Sequence, residues 1–470
     1  MNDMSDPTRT VARAPGVSTQ DILHRDGRPV PDTYARDDYR FLGDDDIPFT
    51  RYTDRNFFDR EMQQAWGRTW QWACREEHIP ERGDWIVYEI GDTSVMVVRG
   101  ADNVVHAHIN SCTHRGTKIF DSGASGSSRE LRCRFHGWTW DIDGTLKRVP
   151  SHWDAPHVCA ATHSLSPVRV ALWGGFVFIN LDEDAPPLEE YLAPLIEHCA
   201  KYRLENRYIE SHIEKELNCN WKAALEAFLE NYHTQETHPQ LLAANADEPT
   251  QYDILSPIVT RFITANGVSS PHLAQALGED ALIETSLVGA RDMVDPAMLK
   301  VQPGETARVV LARVMRDLLG RIYNTDYSDY ADTEVIDVNH FYAFPSMMLL
   351  PGLSLPALYR IRPMGNDPEK SLFELIMLRE CPAEGPRPEP AEPIRLTEAQ
   401  SYAEAGLDPF LAEIYDQDTT NLRAQQEGFR TSRKPGQTLL NYQEVRLRQL
   451  HLTVDRYLSG IDRPWTDDPQ

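Results

Sequence analysis

The 470-residue chain holds no apolar run near the ~18–20 residues that a membrane-spanning helix needs. It is also poor in positive charge. Its 47 lysines and arginines face 72 aspartates and glutamates, for a formal net charge of −25. That balance argues against nucleic acid or an anionic membrane as partner, because both need a basic face. Cysteine is scarce, with seven in all. Cys74, Cys159, Cys199, Cys219 and Cys381 are scattered, which speaks against a disulfide framework and for packed thiols in a reducing compartment. Met1 to Gln20 is polar and shows no apolar stretch of the secretory-signal type. A cytoplasmic location is therefore expected. What remains is ordinary for a globular protein, at 41% hydrophobic and 25% charged residues, and the length suits two or three domains.

Against this background two short clusters stand out. Cys112-Thr-His114 and Cys133-Arg-Phe-His136 each offer one thiolate and one imidazole, and eighteen residues lie between them. Two Cys and two His suit a tetrahedral structural zinc. Zinc clusters, however, usually pair like with like, whereas each cluster here is mixed. The mixed pattern favours a [2Fe–2S] centre with two Cys on one iron and two His on the other, the Rieske arrangement, whose potential lies above that of an all-thiolate cluster. Arg115-Gly116 and Gly137-Trp138 flank the two pairs as they do in Rieske loops. From Cys112 to Arg148 seven basic residues oppose four acids, against the trend of the whole chain. This excess is either a docking patch for an acidic partner or chance variation on a solvated surface.

The order of elements points to three parts. Residues 1–47 are polar and rich in Asp and Pro, and read as an extended or poorly ordered arm. Residues 48–183 begin with a helix, over Asp54 to Trp70 with Asp54 as N-cap. Alternating strands follow at Trp85–Ile90, Ser94–Arg99 and Val104–Ile109. A hairpin is expected after the second cluster, turning at Asp143-Gly144, and the last strands fall between Ser166 and Leu181. Residues 184–470 open with a helix over Leu188–Cys199 and a strand over Tyr208–Leu217. Later strands are expected at Met347–Leu350, Ala357–Arg362 and Leu372–Arg379, with a long helix from about Pro409. Leu241 to Asp337 mixes short helical patterns with Gly and Pro and takes no firm assignment.

A second set of ligands follows Trp221. Glu226, Glu230 and His233 are spaced i, i+4, i+7, so one helix would put them on one face. His233 and His238 are about 140° apart on a regular helix and converge only if it ends, for which Pro239 gives a reason. Two His and a carboxylate make the facial triad of non-haem Fe(II) oxygenases. The distant carboxylate is expected to be Asp418, which shares an apolar stripe with Ile414 and Leu422, with Asp416 as fallback.

Taken together, these residues resemble the large (alpha) subunit of Rieske non-haem iron aromatic ring-hydroxylating oxygenases, from about Tyr52 to Gly428. Further signposts are Gly174-Gly-Phe-Val-Phe-Ile-Asn, Asn220-Trp-Lys, Glu230-Asn-Tyr-His233-Thr-Gln-Glu-Thr-His238 and Gln417-Asp418. The resemblance implies an α+β chain, with a small antiparallel β Rieske domain and a helix-grip (START-like) antiparallel-sheet catalytic domain. It implies a Rieske [2Fe–2S] cluster on Cys112, His114, Cys133 and His136, and a mononuclear Fe(II) on His233, His238 and Asp418. Glu230 then takes the place of the carboxylate, usually Asp, that bridges the iron to the cluster of a neighbouring subunit. Glu226 stands near a position where several relatives carry Asn, and would act on Glu230 or on an iron-bound water. The implied partners are O₂, a small-molecule substrate, a reductase drawing on NAD(P)H with or without a ferredoxin, and two further copies in a trimer, with or without a small β subunit. The expected reaction is mono- or cis-dihydroxylation of an apolar aromatic, steroid-like or terpenoid substrate. The alternative is a monooxygenase or N-/O-demethylase acting on a small polar substrate such as a quaternary amine. From another class, an electron-transfer Rieske protein would leave the second ligand set without a role.

Overall fold

A computed structural model of the chain describes residues 13–101, 103–287, 293–461 and 463–467. Of the expected arm, residues 1–12 lie outside the described residues. Residues 13–47 are extended over much of their length, as expected, but are anchored to the fold. Ser18 caps the short helix Thr19–Leu23. Leu23 and Tyr34 are buried, and Arg308 grips Asp26 through two bonds of 2.9 Å. A few apolar anchors in a polar run leave no periodic trace in the sequence.

The alternating runs form the first sheet. Among the described residues seven antiparallel strands lie in the order Gln71–Arg75, Phe176–Asn180, Pro167–Trp173, Val105–Ile109, Thr93–Arg99, Asp84–Ile90 and Ser125–Ser127. Asp54 caps the leading helix Arg55–Glu61 by accepting from the Phe57 amide at 2.8 Å. A small ribbon of Leu131–Arg132, Thr139–Trp140 and Leu146–Arg148 carries the second Cys/His loop. Its turn is at Asp143-Gly144 as expected, with Gly144 at φ +83°. A side core of Trp85, Met96, Val98, Trp138 and Trp140 encloses Cys112 and Cys133.

The second sheet has eight strands among the described residues. They run in the order Gln251–Ile254, Val259–Thr264, Val338–Ala343, Met347–Leu350, Ala357–Pro363, Ser371–Glu380, Arg207–Leu217 and Ile394–Leu396. All neighbours are antiparallel except the last pair, which is parallel. Helices Trp221–Glu226, Pro409–Thr431 and Val445–Leu458 pack against this sheet. The architecture is the expected α+β one, a sheet wrapped around helices. The single helix expected over Leu188–Cys199 is two, Leu188–Tyr191 and Ala193–Cys199, because Pro194 has no amide to continue the first.

One core joins the two sheets. It runs from Trp66, Trp72 and Phe178 to Ile213, Trp221 and Phe373, with Trp66 and Trp221 edge to face at 5.2 Å. Polar pins cross the same boundary. Lys222 and Glu61 pair at 2.8 Å with both side chains wholly buried. Arg360 donates to the carbonyls of Trp72 (2.9 Å) and Ala73 (3.1 Å).

Candidate iron–sulfur and iron centres

The two Cys/His loops are built alike. In each, the glycine amide donates to the cysteine carbonyl, Gly116 to Cys112 at 2.9 Å and Gly137 to Cys133 at 3.1 Å. Gly116 has φ +75° and Gly137 φ +72°, a left-handed turn that suits glycine. The matched turns pair like with like in space. Cys112 and Cys133 are buried, and the Cys112 thiol is pushed up by burial and by the neighbouring Cys133. His114 and His136 are exposed, with ring centroids 4.8 Å apart. Trp138 stacks on His114 at 4.8 Å. Among the described residues these four are not a set whose donor atoms all fall within 4.8 Å of one another. A single tetrahedral zinc, with bonds of ~2.0–2.3 Å, would need such a set. Two thiols on the buried side and two imidazoles on the exposed side fit a two-iron cluster instead.

The surface around these loops is less basic than the count of residues suggested. Arg134 pairs with Asp121, Lys118 with Glu89, and Lys147 with Asp141 and Glu130. Arg115 lies over the exposed ring of Phe135 at 5.3 Å.

The second set converges, but not from one helix. Asn220 caps helix Trp221–Glu226 by accepting from Lys222 N, and that helix stops at Glu226. Phe228 and Leu229 then bond three residues back, and side chains take the amides that follow. Glu230 Oε2 accepts from the backbone N–H of Tyr232 and of His233, and the Asn231 amide donates to the Tyr252 hydroxyl at 3.0 Å. His233 begins a new turn, Thr234–Thr237, and His238 closes it ahead of Pro239. Both imidazoles thereby reach Asp418 on helix Pro409–Thr431. His238 Nε2 is 2.8 Å and His233 Nε2 3.3 Å from Asp418 Oδ1. The three donors lie within 4.8 Å of one another.

The remaining nitrogens are held from behind. Gln417 Oε1 is 2.8 Å from His238 Nδ1, and Glu230 Oε1 is 2.7 Å from His233 Nδ1. This leaves both Nε2 atoms for a metal, the usual outer support of a histidine ligand. Burial pushes the Asp418 carboxyl up, but the bonds and charges of the two histidines outweigh it and hold it below the ordinary range. An ionised, buried carboxylate with two oriented imidazoles is a donor set that fits Fe(II) and leaves open positions.

Two other acids fall outside this set. Asp416 accepts from Ser401 Oγ (2.5 Å) and faces Lys215, which half-buries it where its place off the apolar stripe implied solvent. Glu226 is buried, but it bonds Tyr52 (2.6 Å), His451 (2.8 Å) and Gln437 (3.1 Å) and does not line the cavity beside Asp418. The expected action on Glu230 or on an iron-bound water gives way to this closed network. His212, Glu214 and Glu374 form another close group among the described residues. Arg360 and Arg362 hold Glu374 and Arg395 holds Glu214, so those charges are already matched.

The triad opens on a cavity of about 470 Å³. Phe228, Phe262, Leu311, Met315, Tyr359 and Ile414 give it apolar walls. No lysine or arginine appears among the described residues lining it. Residues between Leu241 and Asp337, which the sequence left unassigned, supply much of the lining. Asn245 and His340 are functional candidates that sequence reasoning did not single out. Gln417 entered it only as a signpost beside Asp418, without a role.

A family model for the ring-hydroxylating alpha subunit (catalytic domain) matches residues 201–460, more than half of the chain, and one for the Rieske [2Fe–2S] domain matches residues 69–159. The chain belongs to the ring-hydroxylating alpha-subunit family. The glycine betaine monooxygenase oxygenase subunit of Chromohalobacter salexigens is 31% identical over 224 residues, 47% of this chain and 50% of that one. The biphenyl dioxygenase subunit alpha of Metapseudomonas furukawaii is 31% identical over 215 residues, 43% of this chain and 47% of that one. Each match thus spans about half the length of the curated relative. Among solved structures, a quaternary ammonium Rieske monooxygenase superposes with a TM-score of 0.61 at 17% identity, covering 88% of this chain and 95% of that one. At that identity the likeness is one of fold.

Proposed function

We propose that this chain is the oxygenase component of a multicomponent Rieske non-haem iron oxygenase. The observation that carries the reading is the convergence of His233, His238 and Asp418 on the wall of an apolar cavity, in a chain that also pairs Cys112 with Cys133 and His114 with His136. In this reading the four loop residues hold a [2Fe–2S] cluster, and His233, His238 and Asp418 hold Fe(II). When bound, these groups supply single electrons and the activation of O₂. The protein's own part is to orient ligands and substrate and to keep water out. Glu230 fixes the His233 ring and joins it to the surface across which electrons arrive. The exposed His114 and His136 present the cluster to a partner, either a reductase or ferredoxin drawing on NAD(P)H or Glu230 of a neighbouring copy in a trimer. A reducing cytoplasm suits the seven free cysteines, and no described helix is long and apolar enough to cross a membrane.

For the substrate, the relatives favour monooxygenation or demethylation of a quaternary amine. The aromatic rings of Phe228, Tyr359 and Tyr415 and the lack of cations among the described lining residues suit an ammonium group. Hydroxylation of an apolar aromatic is the second reading, favoured by the mostly apolar lining and by the dioxygenase relatives. The test is purified protein with a compatible reductase, NAD(P)H and O₂, offered glycine betaine, carnitine and biphenyl. Oxidised protein is expected to be red-brown and, once reduced, to give the low-average-g Rieske EPR signal. Formaldehyde release would mark demethylation, and a hydroxylated ring the second reading. A colourless, zinc-loaded protein would sink both.

A further inference from the structure

One histidine in the cavity wall has a donor with nothing to bind. His340 lies on strand Val338–Ala343, where alternation turns Val338 and His340 to the cavity and packs Phe341 against His198 on the other side. The His340 side chain is 2% exposed. Its ring stacks on Phe262 at 4.7 Å and 11°, which fixes its plane. Arg446 Nη2 lies 3.1 Å from His340 Nδ1. A guanidinium can only donate, so Nδ1 accepts and the proton sits on Nε2. Nε2 is buried and has no hydrogen-bond partner in the protein. A buried N–H left unpaired is costly, so it calls for a partner.

Behind this donor stands a buried cation. Arg446 is wholly buried, and its other bonds go to neutral acceptors, Thr260 Oγ1 at 2.9 Å and the Leu229 carbonyl at 3.1 Å. Its charge therefore polarises the imidazole toward the cavity, strengthening Nε2–H as a donor. Burial and the Arg446 charge also push the His340 pKa well down, which keeps the ring neutral and in this tautomer.

We propose that the cavity selects substrates bearing an acceptor oxygen, a carboxylate or a carbonyl, and that His340 Nε2–H is the positioning residue that docks it. The inference rests on the oxygenase reading of the cavity. It also supplies what a zwitterionic amine needs in a cavity with no cation among the described lining residues: one end for the carboxylate and an aromatic region for the ammonium. An apolar aromatic ketone or acid would dock by the same contact, and a bare hydrocarbon would not.

The test is binding to the metal-loaded protein, measured by calorimetry with two probe series. One is tetramethylammonium, glycine betaine methyl ester and glycine betaine. The other is biphenyl, 4-acetylbiphenyl and 4-phenylbenzoate. In at least one series the wild type is expected to bind the oxygen-bearing probes about 10- to 100-fold more tightly than the probe without an acceptor. His340→Asn, whose amide oxygen takes the place of Nδ1 toward Arg446, is expected to abolish that preference while leaving the acceptor-free probe within about two-fold. His340→Gln, whose amide nitrogen reaches the place of Nε2, is expected to restore part of it. An unchanged Rieske EPR signal checks that each variant is folded. A tighter carboxylate than ester assigns the acid as the natural group, and equal affinities assign the carbonyl. Retained preference in His340→Asn overturns the proposal, as does a wild type that favours no oxygen-bearing probe in either series. Coupled turnover with unaltered selectivity in His340→Asn removes His340 and leaves the oxygenase reading standing. Selective binding without any coupled turnover removes the oxygenase reading instead.

Discussion

At the scale of single residues, the ligands of the triad depend on two neighbours that bind no metal themselves. Gln417 meets His238 Nδ1 at 2.8 Å, and Glu230 meets His233 Nδ1 at 2.7 Å. Replacing Gln417 with Leu removes the acceptor that faces His238 Nδ1, and outer-shell losses of this kind typically cost 10–100-fold in metal affinity. Iron retained after dialysis against a chelator series is expected to fall by about that factor, and unchanged retention would show that packing alone orients His238. Glu230→Ala separates wiring from ligation. Loss of this support on His233 should weaken iron binding as Gln417→Leu does, so the variant is reloaded with excess Fe(II) and is then expected to keep the cluster signal yet to lose product formation with an intact reductase. Full activity there would remove Glu230 from the electron path. Much of this site was legible in the sequence, because thiolates and imidazoles at two- and three-residue spacings are chemically distinctive. Asp418 was separable from Asp416 because only the former shares a stripe with Ile414 and Leu422. The roles of Gln417 and His340 were not legible, since a lone amide on a polar helix and a lone histidine in a strand look like many satisfied residues.

Among the elements, the departures from expectation have local causes. The helix after Trp221 stops at Glu226, where Phe228 and Leu229 tighten to bonds three residues back, and the Glu230 carboxylate then holds the amides of Tyr232 and His233, a contact that the i, i+4, i+7 pattern does not encode. Strands Gln251–Ile254 and Val259–Thr264 escaped notice because every residue in them is buried, so no alternation marks them. The hairpin at Asp143-Gly144 was readable, since turn chemistry is local. That turn also touches the sheet beneath it. A Cβ at Gly144 would lie 2.5 Å from the His108 ring, at a φ of +83° that side chains rarely adopt. Gly144→Ala therefore pays twice, for the backbone and for the clash, and should cost on the order of 1–3 kcal/mol. A lower midpoint in thermal loss of the visible cluster absorbance would register it. No change in that midpoint would mean that the hairpin shifts freely away from His108.

For the whole molecule, the question is what acid does to a chain with 72 carboxylates. Its net charge of −25 repels itself, so mild acidification towards the pI of about 5.0 should relieve strain between like charges. Buried histidines act in the opposite direction, one in each of the two sheet units. His108, whose Nε2–H donates to the Ile142 carbonyl at 3.2 Å, is pushed down to about 4 by burial. His198, which lies 3.2 Å from Arg261, is pushed down to about 3 by burial and then by that guanidinium. Unfolded histidine takes up a proton near 6.5, while these two stay neutral in the fold. Their contribution is thus whole above pH 6.5 and is lost as the pH falls towards 4. A shift of this size corresponds to roughly 3 kcal/mol for His108 alone. That exceeds what any one screened surface pair contributes, typically under about 1 kcal/mol. Denaturant titrations at steps between pH 7.5 and 4.5 are expected to show stability falling below pH 6.5 despite the acidic composition. His108→Gln keeps a donor for Ile142 and cannot titrate, so its curve should fall less steeply than the wild type's over the same window. Parallel curves for the two proteins would move the acid sensitivity from His108 to His198 and the other buried histidines.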